Sequence, residues 1–502
     1  MESHRMYWHR NPVPGKTCDD CKFSFVVRPT LLEIVQAINP GMPVLPDWVH
    51  EGAIMGVQGG TEAMLDYLAQ AEDANAQISG MWIQDWSGFI VTDFGRRVFW
   101  NWRWNETYYP GLDTAIQDLM NKDVRVLVYI TAHLNVLGDV YGSQEEEEGY
   151  WLTTDDGERL VQDFGHFDVA TCDIVKPDPD CNCINPGREW YKQMMKTNML
   201  DLGIRGWMAD FGEYTPTNAR TGYPGAFWGD DDHSEILHQT ISEEWARVNR
   251  ELLEENDMLS EVMYWMRAGG PRSKYYQSMT WAGDQAVDWT RSDGLKSSII
   301  AALSLAVTGV GMSHSDIGGY TGSVALGEVR TKELLLRWAE YSAFTPVMRT
   351  HEGNHPEANH QIYTDLDTMT QFGRLTRIFV MLSAEYVKEA VRANAEEGIP
   401  VMRPLCLDFE ADIESWDEEY EYMFGSDLLV APVTEPEQSV WEVYLPGQDT
   451  NWVWLWDAAE TLRPGQSRVV VDAPMGLTPV FYRAGSAWTE LFRQIRDEFN
   501  LL

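Results

Sequence analysis

Gly206-Trp207-Met208-Ala209-Asp210-Phe211-Gly212-Glu213-Tyr214 is a short apolar run that ends in two acids. The residues before Asp210 suit a strand that is buried on both faces, and Gly212 allows the backbone to turn sharply directly after the acid. The segment therefore predicts a buried strand with the carboxylate of Asp210 at its carboxyl end. Enzymes of the α/β class keep their chemistry at such strand ends, although an acid in this position can also merely cap the following segment.

Similar apolar runs recur along the chain and alternate with segments whose apolar residues have helical spacing. Several runs end in polar residues, for example Gln84-Asp85 and His314-Ser315-Asp316. The predicted strands are Ala53–Gly60, Ser79–Trp86, Val124–Tyr129, the strand that ends at Asp210, Leu259–Met266, Ser278–Gln285, Gly311–Gly319 and Phe344–Thr350. Eight strands that alternate with helices predict an α/β fold, a (β/α)8 TIM barrel in which the carboxyl ends of the strands form the catalytic face.

The chain, at 502 residues, is too long for one ordinary domain. Residues 1–47 hold a strand-like run at Phe23–Val27 and a helical run at Leu31–Ile38, and we interpret them as a short amino-terminal remnant. Residues 48–397 are predicted to form the barrel. From residue 398 to residue 502, short strands separated by turn signals such as Pro446-Gly447 predict a carboxyl-terminal all-β domain.

Two long insertions follow the third and fourth predicted strands, at about Asn135–Pro186 and Thr215–His233. Both are rich in glycine, proline and acidic residues, and both would lie on the catalytic face of the barrel. We interpret them as loops that cover the substrate rather than as further domains.

The charge of the chain excludes some partners. With 78 acidic and 38 basic residues, the formal net charge is -40, which repels nucleic acids and anionic membrane surfaces. An anionic ligand would therefore need a local basic site. Met1–Lys16 is polar and contains two prolines, and no run is apolar for long enough to span a bilayer. The sequence predicts a cytoplasmic enzyme without a signal peptide and leaves a homo-oligomer open.

The cysteines are too sparse for a disulfide scaffold in a chain of this length. They are Cys18, Cys21, Cys172, Cys181, Cys183 and Cys406. The first five could in principle share a metal, but their spacing matches no standard zinc finger and no histidine lies suitably beside them. Ordinary thiols or a loop disulfide are favoured, and neither a metal nor a cofactor is predicted.

Two acids at strand ends suit the hydrolysis of glycosides. One carboxylate attacks the anomeric carbon and a protonated one donates to the leaving oxygen, with the two about 5 to 5.5 Å apart in retaining enzymes. Asp210 and Asp284 end the fourth and sixth predicted strands and could meet across the barrel mouth, although Gly283 also suits a plain loop turn at Asp284. Nearby aromatic residues could bind sugar faces or could be ordinary packing: Trp86, Trp100, Trp207, Phe211 and Trp281.

Several motifs, taken in order, carry a resemblance to a known family. They are Gly56–Glu62, Trp82–Gly88, Arg97–Trp102, Gly206–Glu213, Trp281–Trp289, His314–Tyr320 and Arg349–Asn354, continued by Pro404 and Leu429–Pro432. In these motifs the chain resembles the α-glucosidase-like glycoside hydrolases, family 31 of that class, and within the family the sulfoquinovosidase group. The resemblance implies a retaining α-glycoside hydrolase that releases sulfoquinovose, a 6-sulfonated glucose, from small anionic glycosides such as sulfoquinovosyl glycerol or sulfolipid.

The same resemblance implies roles for individual residues. Asp210 would be the nucleophile and Asp284 the acid/base. Substrate-binding positions would be Arg97, Trp100 and Tyr320 for the sulfonate, Gln58 and Gln84 for the neighbouring hydroxyls, and Arg267 and His351 for the rest of the sugar. A sulfonate is a permanent anion, so a permanently charged guanidinium with indole and phenol donors suits it. Family members also carry an amino-terminal β-sandwich, for which residues 1–47 are too few.

Three hypotheses follow from the sequence. The first is a retaining enzyme for sulfoquinovosides, the second a family relative that cleaves neutral α-glucosides or α-xylosides, and the third a non-catalytic glycan-binding barrel. Taken singly, Arg97 could be a surface residue, and Trp100 and Tyr320 could be packing residues. The second hypothesis gives no reason for Arg97 and Trp100, and the third gives no reason for two intact acids.

Overall fold

The computed structural model describes residues 26–39, 41–144, 149–177, 184–221, 234–270 and 272–499. Most of the strand-like run Phe23–Val27 and part of the second insertion lie outside these residues, as do Cys18, Cys21, Cys181 and Cys183. Cys172 is a buried free thiol and Cys406 a half-buried one. The choice between thiols and a loop disulfide therefore stays a prediction for the other four cysteines.

A parallel sheet curls around the core of the first domain. The strands of the described residues as far as residue 314 are β1 (Ala53–Val57), β2 (Ile78–Ile83), β3 (Phe89–Thr92), β4 (Gly95–Val98), β5 (Arg125–Thr131), β6 (His133–Asn135), β7 (Val161–Asp163), β8 (Asp168–Thr171), β9 (Gly206–Asp210), β10 (Met263–Met266), β11 (Met279–Trp281) and β12 (Ser313–His314). Within this part of the chain the parallel sheet runs β1-β2-β5-β9-β10-β11-β12. Its strands are buried along nearly their whole length, as parallel strands covered on both faces must be.

The predicted eighth strand, Phe344–Thr350, closes the barrel without forming a regular strand. Arg349 pairs with Ile54 of β1, and Thr350 pairs with Ile317 beyond β12, both in parallel. The two edges of the sheet therefore meet at these residues, and the prediction of a (β/α)8 barrel is confirmed.

Local features explain how residues 348–350 reach the sheet, where the N–H of Ile54 donates to the carbonyl of Met348 at 2.8 Å, and why residues 344–346 do not. Gly56 of β1 permits the approach, because a Cβ at this position would lie 2.3 Å from the carbonyl oxygen of Thr350. Phe344 instead continues the turn at the end of the preceding helix, with its N–H bonded to the carbonyl of Tyr341 at 3.0 Å. Pro346 has no N–H to give to a sheet.

The α-helices of the described residues follow the alternation that the sequence predicts. They are α1 (Leu31–Ile38), α2 (Thr61–Asp73), α3 (Leu112–Met120), α4 (Asp139–Gly142), α5 (Pro186–Met195), α6 (Ser234–Glu255), α7 (Leu295–Val307), α8 (Lys332–Ser342), α9 (Leu366–Leu382), α10 (Lys388–Glu397), α11 (Leu405–Asp408) and α12 (Thr489–Glu498). Side-chain caps begin four of the described helices: Thr30, Asn185, Thr331 and Asp365 accept backbone N–H groups at the starts of α1, α5, α8 and α9. None of the helices in the described ranges is both long and apolar enough to cross a membrane.

Additional short strands lie beside the carboxyl ends of the barrel strands. The hairpin of β3 and β4 follows β2 and carries Arg97. The first long insertion, predicted as a covering loop, contains a small antiparallel sheet in the order β6-β8-β7. Both elements place backbone and aromatic side chains close to the residues that the sequence singles out.

A β domain follows the barrel. Its strands in the described residues are β13 (Met402–Pro404), β14 (Tyr422–Phe424), β15 (Leu428–Val430), β16 (Val440–Leu445), β17 (Asn451–Trp454), β18 (Leu462–Pro464), β19 (Ser467–Asp472) and β20 (Val480–Arg483). They form an antiparallel sheet in the order β13-β14-β15-β20-β17-β18 and a separate β16-β19 pair. The predicted carboxyl-terminal β domain is thus confirmed as part of the fold, with α12 added to it.

Candidate active site

Asp210 ends β9 and is held by the turn that follows it. Phe211 has a φ of +60° and Gly212 a φ of +124°, so the predicted turn begins one residue before the glycine. In this left-handed conformation, uncommon for phenylalanine, the N–H of Phe211 donates to Oδ1 of Asp210 at 2.7 Å. The indole N–H of Trp245 donates to the Asp210 carbonyl at 3.2 Å. Backbone strain and packing together fix the orientation of the carboxylate.

A residue of the neighbouring strand contacts the other carboxylate oxygen. Tyr129 of β5 donates its hydroxyl to Oδ2 of Asp210 at 2.6 Å. Tyr129 is buried, and burial together with the nearby Asp210 raises the pKa of its hydroxyl far above the usual value. It therefore stays a neutral donor at any working pH. The sequence analysis assigned no role to this residue.

Arg267, which directly follows β10, joins the two acids that were predicted to be catalytic. Its Nε lies 3.1 Å from Oδ1 of Asp210, and its Nη1 lies 2.7 Å from Oδ2 of Asp284. The same Nε is 2.9 Å from Glu213, and the guanidinium carbon lies 4.4 Å from the centre of the Phe211 ring. One guanidinium group therefore contacts both predicted acids, and these meet across the barrel mouth as the sequence suggested.

The environments of the two acids differ. The side chain of Asp284 is 40% exposed and that of Asp210 only 7%. Removal from bulk water is the main reason that the pKa of Asp284 rises to about 7; Arg267 opposes this rise, whereas the charges of Asp210 and Asp316 add to it. A carboxyl group that is protonated near neutral pH and reachable from solvent thus faces a buried carboxylate with fixed hydrogen bonds. Such a difference in environment separates an acid from a nucleophile.

Arg97 of β4 is held from one side by the first insertion. Its Nη1 donates to the carbonyls of Phe164 and Gly165 at 2.5 and 3.1 Å, and its guanidinium carbon lies 4.5 Å from the centre of the Phe167 ring. Burial lowers its pKa, but a guanidinium remains charged at physiological pH. Its Nε and Nη2 have no hydrogen-bond partner among the residues that the structure describes. These N–H groups are available for an anion.

Trp100 connects the surroundings of Arg97 with those of Asp210. Its buried ring lies 5.1, 5.4 and 5.0 Å from the rings of Phe164, Phe167 and Phe211, measured between centroids. Trp100 is therefore a packing residue, as one reading of the sequence held. Its indole nitrogen nevertheless has no hydrogen-bond partner within the described part of the chain, so packing and ligand binding do not exclude each other.

Tyr320 and His351 lie in the segments that follow β12 and the barrel-closing residues 349–350. The Tyr320 ring is 4.8 Å from the ring of His351. Burial raises the pKa of Tyr320, the carboxylates of Asp284 and Asp210 raise it further, and Arg97 opposes them, so Tyr320 stands within electrostatic reach of all three. Nδ1 of His351 accepts the backbone N–H of Gly353 at 2.9 Å, and burial keeps its pKa well below the usual value. The neutral ring therefore carries its proton on Nε2, which can donate to a ligand.

Gln58 and Gln84 follow β1 and β2 at the same end of the barrel and are 6% and 7% exposed. Neither side-chain amide is hydrogen-bonded to another described residue, so both can bind hydroxyl groups. Seven of the predicted site residues thus follow or end the barrel strands and their closing residues: Gln58, Gln84, Asp210, Arg267, Asp284, Tyr320 and His351. Arg97 and Trp100 lie on and just after the β3–β4 hairpin that follows β2. No group of three or more His, Cys, Asp or Glu side chains in the described ranges is arranged to hold a metal ion.

Comparison with known proteins shows the family to which this domain arrangement corresponds. The glycosyl hydrolases family 31 TIM-barrel domain matches residues 42–380, and the carboxyl-terminal domain of that family matches residues 398–487. The chain is 44% identical to the sulfoquinovosidase of Escherichia coli over 93% of this chain and 66% of that protein. It is 38% identical to the sulfoquinovosidase of Agrobacterium fabrum over 95% of this chain and 69% of that protein.

A solved structure is also similar. A family 31 sulfoquinovosidase from E. rectale, in complex with the aza-sugar inhibitor IFGSQ, gives a TM-score of 0.87 at 41% identity and covers 95% of this chain and 68% of that one. The chain spans about two thirds of the length of the curated relatives it matches.

Proposed function

Because this chain belongs to glycosyl hydrolase family 31, we propose that its barrel is the catalytic domain of a retaining α-glycosidase that releases sulfoquinovose from α-sulfoquinovosides. The retaining mechanism is general in the family. One observation supports the choice of substrate: Nε and Nη2 of Arg97 have no hydrogen-bond partner among the described residues, and Arg97, Asp210 and Asp284 are all within electrostatic reach of Tyr320. The proposed ligand is a small anionic glycoside, such as sulfoquinovosyl glycerol or sulfolipid.

In the first chemical step Asp210 attacks the anomeric carbon while Asp284 donates its proton to the glycosidic oxygen. The bond between the anomeric carbon and that oxygen breaks, and its electron pair stays on the aglycone, which leaves as an alcohol. A pKa near 7 lets Asp284 hold a proton at neutral pH, and the hydrogen bonds from Phe211 and Tyr129 hold Asp210 in position. The product of this step is an ester between the sugar and Asp210.

In the second step water attacks the anomeric carbon and hydrolyses the ester. Asp284, now a carboxylate, accepts a proton from the water, and the electron pair of the broken bond returns to Asp210. Two inversions restore the original configuration, so the first product formed is the α-anomer. Arg267 contacts both acids, so it stabilises whichever one is ionised: Asp210 before the first step, and Asp284 while the ester exists.

The sulfonate is bound at the other end of the site. Nε and Nη2 of Arg97 face it, while the two carbonyls that hold Nη1 keep the guanidinium in one orientation. Trp100 and Tyr320 offer an indole N–H and a phenol hydroxyl. With a formal net charge of -40, the chain needs such a cation to bind an anionic sugar. Gln58, Gln84, Arg267 and His351 bind the remaining hydroxyl groups.

The test compares three chromogenic substrates with the same leaving group: the para-nitrophenyl α-glycosides of sulfoquinovose, glucose and xylose. We expect kcat/KM to favour the sulfoquinovoside strongly, with the α-anomer of the sugar as the first product seen by NMR. A preference for a neutral glycoside would replace this proposal by the neutral-glycosidase hypothesis. Failure of well-folded protein to cleave any of the three would favour a non-catalytic barrel. The predicted cytoplasmic location is checked separately by fractionating the cells that produce the protein.

A further inference from the structure

The two oxygens of the Asp210 carboxylate have different partners. Oδ1 accepts the backbone N–H of Phe211 at 2.7 Å and lies 3.1 Å from Nε of Arg267. Oδ2 accepts one hydrogen bond, from the hydroxyl of Tyr129 at 2.6 Å. The single N–H of Arg267 Nε is donated to Glu213 at 2.9 Å, so the Arg267 cation flanks Oδ1 without donating a hydrogen bond to it, beside the N–H of Phe211. Oδ2 has the Tyr129 hydroxyl as its one hydrogen-bond donor in the described residues and is not flanked by the cation. Oδ2 therefore keeps the lone pair that a nucleophile needs.

We propose that Oδ2 of Asp210 is the attacking atom and that Tyr129 is a positioning residue that holds Oδ2 in place and stabilises its charge when the glycosyl ester is hydrolysed. This inference rests on the proposed glycosidase function and goes beyond it, since it assigns the hydrogen bond of Tyr129 to one of the two chemical steps.

The reason lies in how the charge on Oδ2 changes during the reaction. When Oδ2 forms its bond to the anomeric carbon it loses negative charge, so the Tyr129 hydrogen bond weakens and gives no help to this step. When water displaces the ester, the electron pair of the bond between carbon and Oδ2 returns to Oδ2, and the hydrogen bond strengthens as the charge grows. An interaction that is stronger in a transition state than in the state before it accelerates that step. Tyr129 therefore assists the hydrolysis of the ester.

The position of Tyr129 makes this hydrogen bond rigid. β5 and β9 are neighbours in the sheet, and their register pairs Tyr129 with Met208, two residues before Asp210. The Tyr129 ring packs 5.7 Å from the ring of Trp102, and the residue is 6% exposed. Its hydroxyl cannot leave Oδ2 without moving the ring out of this packing. Phenylalanine would keep the ring and lose only the hydroxyl.

The test compares Tyr129→Phe with Tyr264→Phe and with the wild type. Tyr264 of β10 is a matched control, because it is equally buried in the barrel wall but its hydroxyl lies near the backbone carbonyls of Ala246 and Tyr276 rather than a carboxylate. Each protein is assayed for kcat and KM on para-nitrophenyl α-sulfoquinovoside. Intact-mass spectrometry of the protein, quenched during turnover, measures the fraction that carries the sugar ester.

For Tyr129→Phe we expect kcat to fall about tenfold to hundredfold, as for a lost hydrogen bond to a charged group. KM should fall with it, so that kcat/KM changes only a few-fold, and the protein should accumulate the ester of Asp210. Tyr264→Phe should keep the wild-type constants and show no ester.

Two results would overturn the inference while the wild type remains active. One is equal loss of kcat and kcat/KM in Tyr129→Phe without ester, which a merely structural role would produce; the other is Tyr129→Phe behaving like Tyr264→Phe. An inactive wild type would instead contradict the proposed function itself, and the inference would fall with it.

Discussion

Replacing Arg97 by alanine tests the specificity of the site without touching the two acids. Arg97 is half-buried in β4, with Nη1 bound to the carbonyls of Phe164 and Gly165 and with Nε and Nη2 without a hydrogen-bond partner among the described residues. Loss of one partner of a buried charge pair costs about 2 to 5 kcal/mol. Because Arg97 is partly exposed, we take the lower part of this range, about 2 to 3 kcal/mol, which corresponds to about 30- to 150-fold in kcat/KM.

The assay measures kcat/KM for the para-nitrophenyl α-glycosides of sulfoquinovose and glucose, and the quantity that matters is their ratio. Arg97→Ala should lower the ratio by this factor, because the neutral sugar has no group that depends on a full positive charge. Arg97→Lys should recover part of the loss, since an ammonium keeps the charge but cannot contact the two carbonyls and a sulfonate with one planar group.

The neighbouring Arg96 supplies a matched control. It lies on the same hairpin but contacts Tyr108 and the ring of Phe89 instead of the predicted sulfonate position, so Arg96→Ala removes an equal charge and should leave the ratio unchanged. If Arg97→Ala reduced kcat/KM equally for both substrates, the role of Arg97 would be to hold the first insertion in place. The sulfonate assignment would then fail even with both acids in place.

Further predictions concern an acid, a buried carboxyl group and the shared aromatic residue. The general acid must be protonated, and the pKa of Asp284 is about 7. For a glycoside with a poor leaving group, kcat/KM should therefore fall as the pH rises through about 7. The Asp284→Asn variant should lose this pH dependence along with most of the activity. Burial raises the pKa of Glu352 from 4.5 to about 7. The folded state therefore loses up to about 3 kcal/mol of stability as the pH rises through this interval. The melting temperature of the Glu352→Gln variant should exceed that of the wild type at pH near 8 but not at pH near 5. Trp100→Ala should reduce kcat/KM for both the sulfonated and the neutral substrate, because the indole packs against Phe211 as well as Phe164 beside Arg97, and the sulfonated substrate should lose more because it also loses the indole N–H. Unchanged kcat/KM for the neutral substrate would contradict this.

The barrel and its acids could be predicted from the sequence because they depend on local signals. An apolar run followed by an acid and a glycine is readable in one dimension, and Asp210 stands where that pattern places it. The same argument would have found α3, which the sequence analysis did not identify: Leu112, Ala115, Ile116 and Leu119 have helical spacing and are all buried.

Strand length was harder to predict, for a physical reason. The run Gly311–Gly319 is buried throughout, yet only Ser313 and His314 form β12, and Phe344–Thr350 contributes only isolated pairs. Apolar composition reports burial, whereas a strand also requires a neighbour at the right distance along its whole length. Where the barrel closes, residues 311–319 and 344–350 pair with their neighbours over only a few residues. The remaining residues of both runs stay buried without strand pairing.

The hydrogen bond from Tyr129 to Asp210 and the hydrogen bonds that hold Arg97 could not be predicted from the sequence, because each joins segments that are distant along the chain. The hydrogen bond from Tyr129 requires the register of β5 against β9, which neither strand specifies alone. The carbonyls of Phe164 and Gly165 are 67 and 68 residues from Arg97 and carry no side-chain signal at all. Neither contact leaves a local pattern that could be recognised in one sequence.

The site therefore divides into two parts that are held by different forces. Tyr129, Asp210, Arg267 and Asp284 lie at or just after barrel strands, so the register of the parallel sheet fixes the catalytic geometry. Arg97 lies on a hairpin outside the barrel sheet and is oriented by the carbonyls of an insertion. Loops accept changes in sequence and length more readily than barrel strands do. A change of substrate charge would thus require rebuilding the hairpin and the insertion, while the acid pair and its hydrogen bonds could remain as they are.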